Sequence, residues 1–341
     1  MRWLISVSLV ATLLAPTAHR AQAPIRVHNE MLETPEVRLE LIGLKRWSLA
    51  MIRDSLARYA PSDSLTSHAC AAILRGKLRF ADAAVEYYPP GFAGHVKGYF
   101  AVPVVEPQDS ARVRYRARPR DSVPDRPDWA RALAVFKEQN QAFQSAIQWP
   151  SFLLGRTDPD SVEPRLAAAR PLLEFLRAHR TEADRRTALW TLAHDGNTRQ
   201  RAVAAVVLAG FPSSDSTWWA LADALRDQDG MVSATASQVL SALSKGAAKT
   251  VDWGPAADGI RAVLDGTNLF AHNDLLDALT ATKVNPALAA ALLRGGGELI
   301  LAKLSSQDPI ATRAAHRFLA QVSGHDFGNS EAAWESWVRS L

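Results

Sequence analysis

Four arginines, Arg112, Arg114, Arg116 and Arg118, occupy every second position of the run Arg112-Val113-Arg114-Tyr115-Arg116-Ala117-Arg118. Side chains alternate across a strand, so a strand here puts all four guanidinium groups on one face. Guanidinium groups take carboxylates and phosphates through paired hydrogen bonds. The row is therefore the candidate contact for an anion or an acidic partner. On a solvent-facing edge strand the same row would instead block edge-to-edge pairing. Other chemistry-bearing residues are sparse. Cys70 is the only cysteine, so no internal disulfide can form. His68 precedes it by two positions, which on a helix separates the side chains by about 200° and prevents a thiolate–imidazole pair. The flanking Ala69, Ala71 and Ala72 read as helix packing. No phosphate-binding glycine loop, zinc-protease motif or nucleophile-elbow motif is present. Gly295-Gly296-Gly297 follows a helix expected to end near Arg294, and reads as an inter-helix turn. The histidines lack metal-ligand spacing. No catalytic residue, metal or cofactor is assigned.

The totals agree with that sparseness. Hydrophobic residues make up 48% of the 341 and charged residues 22%, enough for a sizeable core. The net charge of +4 is too mild to indicate nucleic acid. At the start, Arg2, the apolar stretch Leu4 to Ala15 and the small-x-small triplet Ala21-Gln22-Ala23 form the pattern of a secretory signal. Residues 1–23 are expected to be removed, with Pro24 next to the cut. The mature chain is then secreted or periplasmic and not inserted in a membrane.

The elements that position these residues fall into two parts. In residues 24–154 the pattern predicts an extended arm to residue 40 and a helix from Leu41 to Tyr59, stopped by Pro61. A second helix follows from a cap at Ser62 or Asp63 to Leu74, ended by Gly76. Alternation over 82–87, 96–105 and 112–118 predicts three antiparallel strands, with Pro103 marking an edge. Trp129, Leu133, Phe136, Asn140, Phe143 and Ile147 share one face of a long helix expected to cover that sheet. Asp158, Pro159, Asp160 and Pro164 mark a boundary loop over 155–164.

From residue 165 the sequence repeats. Leu192, Leu225, Leu264 and Leu304 each precede a short polar loop ending at Asn197, Asp229, Asn268 or Asp308. A second helix follows each loop, commonly with small residues one turn before a Leu: Ala204-Ala205 and Leu208, Ala236-Ser237 and Leu240, Ala315 and Leu319. The third unit departs, with Leu275-Leu276 in place of the small pair. One such helix pair cannot bury its apolar face alone, but a stack shares a continuous core. This pattern resembles the HEAT-repeat family, including its short PBS-lyase-type units. Asp229, Val232, Ala236 and Leu240 match its second helix best. The resemblance implies an α-solenoid over 165–324 that presents a surface to a protein partner. Gly324 to Trp337 looks like a closing segment, with Trp334 and Trp337 of a capping helix (residues 325–341) covering the last pair.

The fold expected is therefore mostly α: a HEAT-type solenoid preceded by a small α+β unit with an antiparallel sheet. The function expected is non-catalytic binding or scaffolding of a protein outside the cytoplasm. The alternative is an enzyme with its site in the α+β unit or in the cleft between the halves.

Overall fold

The computed structural model describes residues 26–121, 126–158, 162–247 and 249–341. The signal pattern, Pro24, Pro124, Pro159 and Asp160 lie outside them. The chain is 59% helical, with a small mixed sheet at its start.

The sheet holds β1 (His28–Glu33), β2 (Val37–Leu44), β3 (Asp82–Ala83), β4 (Glu86–Tyr88) and β5 (Gly98–Val105). β1 pairs antiparallel with β2, and β2 pairs parallel with β5. β3 and β4 both pair antiparallel with the other edge of β5. The sheet is thus mixed, not antiparallel, and residues 28–40 form strands rather than an arm. Pro103 lies in the central strand, not at an edge. A residue's N and O point the same way across a strand, and Pro103 O accepts from Ala84 N (3.1 Å). Its missing donor therefore faces the gap between β3 and β4.

Both faces of the sheet are covered. Leu39, Leu41, Phe100, Val102 and Val104 pack against α1 (Leu49–Tyr59) and α2 (Cys70–Lys77). Ile42, Tyr99 and Ala101 point the other way, toward Ala302. Strands buried on both faces lose clean alternation, which is why Leu41 to Leu44 read as the start of a helix. The break before α1 has a local cause. The buried Glu106 carboxylate accepts from the backbone N–H groups of Lys45, Arg46 and Trp47 at 2.6, 2.9 and 2.9 Å, turning the chain out of β2. Ser48 then caps α1 by accepting from Met51 N (3.2 Å).

The long helix expected over the sheet is two helices, α3 (Ala130–Glu138) and α4 (Asn140–Ile147), broken at the non-helical Gln139. Trp129, Phe136, Phe143 and Ile147 are buried as the pattern implied. They share one continuous core with α5 (Pro150–Leu153), α6 (Arg170–Ala178) and the helices after it, while the face of the sheet against α1 and α2 keeps a core of its own. Apolar packing therefore changes partner between Val105 and Trp129, not across 155–164.

Four helix pairs follow: α7 (Glu182–His194) with α8 (Thr198–Leu208), α9 (Asp215–Ala224) with α10 (Gly230–Ser244), α11 (Ala257–Leu264) with α12 (His272–Ala281), and α13 (Pro286–Leu304) with α14 (Pro309–Ser323). First helices touch first helices and second touch second, giving two rows. Asn197, Asp229 and Asp308 cap the second helices by accepting from Arg199, Met231 and Ile310 N at 3.0, 3.0 and 2.9 Å. Asn268 does not cap. It is left-handed (φ 56°) and precedes a short 3-10 turn. The triple glycine is not a turn, because α13 runs through it. A Cβ on Gly297 would lie 3.1 Å from Val338 Cγ1, so the missing side chain lets the last helix, α15 (Glu331–Ser340), come close. Trp334 is fully buried there, edge-on to Phe327 at 4.7 Å, and its Nε1 donates to Gly328 O (2.9 Å).

Candidate functional site

The arginine run forms no strand. Residues 113–120 run extended across the loops of the helix pairs, as a strap. Arg114 N donates to Thr267 Oγ1 (2.7 Å), Arg116 N to Arg226 O (2.9 Å), and Gly196 N to Asp121 O (2.8 Å). Loops of the third, second and first pairs are thus met in turn. The side chains follow. Arg112 meets Glu298 (2.8 Å), which also meets Lys45 (2.7 Å). Arg114 meets Asp265 (3.1 Å). Arg116 reaches Asp223 (3.2 Å), Leu192 O (2.9 Å) and the buried Asp227. Arg118 is exposed. Three of the four arginines therefore have acidic partners within their own chain.

Asp227 is the centre of this strap. Arg201, fully buried, grips it with two hydrogen bonds of 3.0 and 3.1 Å. Burial pushes the Asp227 carboxyl up, but the hydrogen bonds from Arg116, Arg201 and Asp229 N outweigh it and hold the group below the usual carboxylate range.

A groove of about 690 Å³ opens beside the strap. Gly230, Ser233, Ala234, Ser237 and Gln238 form one wall. They recur at helical spacing, so a single face of α10 supplies them. Phe270, Ala271 and Asp274 at the start of α12 form the facing wall, with Gln228 and Asn268 from the loops. Tyr115 and Arg75 close one end. Both are held by the buried Asp82, which accepts from Arg75 (3.3 Å), Tyr115 OH (3.0 Å) and Asn268 N (3.0 Å). One carboxylate thus ties the sheet, the strap and the third loop together. That loop's departure from the repeat pattern follows. Gly266 (φ +114°) has no room for a Cβ, which would lie 2.3 Å from Val105 Cγ2, and Asn268 Nδ2 donates to Leu225 O (2.7 Å). The third loop is shaped to receive the end of β5.

Asp274 accepts from the hydroxyls of Ser237 and Ser241. Burial pushes its carboxyl up despite them, and Asp277 adds to the rise. No Lys, Arg or His among the described residues comes within ion-pair distance of it.

A second polar cluster fills the seam between the sheet and the last helix pair. Tyr88 OH lies within hydrogen-bond distance of both Glu86 (2.7 Å) and Asp308 (3.0 Å) and shares its one proton between them, Tyr99 OH donates to Glu40, and Gln307 N donates to Glu40 (2.8 Å). Lys303 donates to Asn273 Oδ1 (2.8 Å), and burial brings its ammonium down to about 8 against the pull of Glu86, Asp308 and Asp274. This cluster lies at the seam where the sheet and the last helix pair are in contact.

Cys70 is buried, which pushes its thiol up to about 12. His68 packs edge-on against Tyr87 and Phe100. Among the described residues no group of three or more His, Cys, Asp or Glu could hold a metal ion, and no helix is long and apolar enough to cross a membrane. Sequence reasoning missed Asp82, Phe270 and Asp274, because their roles come from partners far away in the chain. Comparison with family models, curated proteins and solved structures finds no match.

Proposed function

We propose that this chain is a non-catalytic binding or scaffolding protein, a HEAT-type solenoid that engages a protein partner outside the cytoplasm. The groove along the second-helix row carries the reading. It is open, framed by two successive second helices, and lined by small, hydroxyl and amide side chains with an aromatic at the rim. Such a lining offers both donors and acceptors to a peptide backbone. The two rows of helices and the caps at Asn197, Asp229 and Asp308 support the solenoid. The signal pattern in residues 1–23 supports export.

The test is site-specific photocrosslinking in periplasmic extract. A benzophenone side chain at Gln238 should give discrete adducts. Ala234→Trp, at an exposed position on the same wall, should remove them by filling the groove. Adducts that persist in Ala234→Trp, or that match those from a benzophenone at the distant Glu138, would overturn the proposal.

A further inference from the structure

The charges of the groove do not cancel. Asp227 is neutralised by Arg116 and Arg201, and Arg75 is held by Asp82. Asp274 remains, bonded only to hydroxyls. The charged groups around it lean acidic. Asp277 and Glu86 face it, and the nearest cations, Lys245 and Lys303, stay outside ion-pair distance. Lys303 also serves Glu86 and Asp308, and Asp277 has its own partner in Arg317 (3.6 Å). One turn before Asp274, Phe270 stands 51% exposed in the same wall, a large apolar ring left in water. A carboxylate beside an exposed aromatic face is a receptor for an organic cation, by charge-assisted hydrogen bond and cation–π contact together.

We infer that the groove takes an arginine or lysine side chain carried by an extended segment of the partner protein, with Asp274 binding the cation and Phe270 covering it. The inference rests on the proposed binding role. Gln238 supplies a donor and an acceptor for a peptide backbone flanking the cation, and a free polyamine has no acceptor for that donor. Gln228 and Asn268 add side-chain carbonyl acceptors, their amide nitrogens already donating to Arg116 O and Leu225 O. The volume, about 690 Å³, holds more than one side chain.

The experiment measures binding of end-blocked nonapeptides with Arg, Gln or Glu at the centre of an otherwise neutral sequence, using the full chain. The Arg peptide should bind about tenfold tighter than the Gln peptide, the scale of one charge-assisted hydrogen bond. The Glu peptide should bind weakest. Asp274→Asn keeps the shape and the serine contacts and should erase the Arg preference. Asn matches the carboxyl in size and shape, and the fold of the variant is checked by its melting temperature. Phe270→Leu, an exposed change, should reduce Arg-peptide affinity about threefold. Asp54→Asn, an exposed carboxylate on α1, should change nothing. Equal affinity for the Arg and Gln peptides, an Arg preference surviving in Asp274→Asn, or displacement by spermidine at lower concentration than by the Arg peptide would overturn the inference. If the Arg preference is absent while crosslinking from Gln238 still depends on Ala234, this inference fails and the binding role stands. If both are absent, both fail.

Discussion

Replacing Asp227 by Asn removes one negative charge from between two arginines and changes almost no volume. Arg201 is completely buried and its two side-chain hydrogen bonds of 3.0 and 3.1 Å go to Asp227. The Asp195 carbonyl, at 2.8 Å, is a neutral acceptor and cannot offset the charge. Breaking a buried ion pair from one side costs about 3–5 kcal/mol. Typical domains hold about 5–15 kcal/mol in total, so the loss is a large share. Urea unfolding at pH 7 should show it, and thermal unfolding should give a melting point lower by roughly 5–8 °C. Added salt should barely change the difference, because buried pairs are poorly screened. The pH dependence separates charge from shape. The folded Asp227 carboxyl lies below its unfolded value of about 3.9. Its stabilisation is therefore complete above pH 4 and is lost as pH falls through the lower, folded value. The gap between wild type and Asp227→Asn should hold from pH 7 to 5 and close below pH 4. A variant within about 0.5 kcal/mol of wild type at pH 7 would refute the account. So would a gap that persists unchanged to pH 2.

Gly266→Ala should destabilise by about 2–4 kcal/mol, combining a left-handed backbone with a methyl group driven into Val105; unchanged urea unfolding would show that β5 does not rest on that loop. Trp334→Ala should cost about 3–5 kcal/mol and promote aggregation, measured by thermal unfolding and light scattering. Lys303 has a folded value of about 8, below that of the unfolded chain, so the unfolded state holds more protons between roughly pH 8 and 10 and stability rises there. Lys303→Met should flatten that rise in a pH series of urea melts.

Local chemistry was legible. The end of α1 before Pro61, the caps at Asn197, Asp229 and Asp308, and the buried faces of Trp129, Phe136, Phe143 and Trp334 are set by neighbours in sequence, and local pattern reports them. What was not legible depended on distant partners. The alternation of Arg112 to Arg118 is real, but the carboxylates its side chains hydrogen-bond lie more than a hundred residues away. Leu41 to Leu44 carry apolar residues for two covering layers, so no period distinguishes strand from helix there. Gly297 has the composition of a turn and the task of a close helix contact. The boundary near 155–164 follows its turn formers, whereas the packing follows Phe152 and Leu166 across it. Asp274 is one acid among 35 Asp and Glu in the sequence, and its missing cation is visible only in three dimensions.

The strap also bears on the order in which the molecule assembles. Helix pairs that touch only their neighbours can form and melt one at a time, so a plain stack frays from its ends. Here Arg114, Arg116 and Asp121 join three successive loops through partners far apart in the chain. Those contacts close late, because long loops must be ordered first. Once closed, they forbid any one pair from opening alone. Amide hydrogen exchange in α8, α10 and α12 should therefore follow a single opening event rather than a gradient, and cutting the chain between Val105 and Arg112 should restore the gradient.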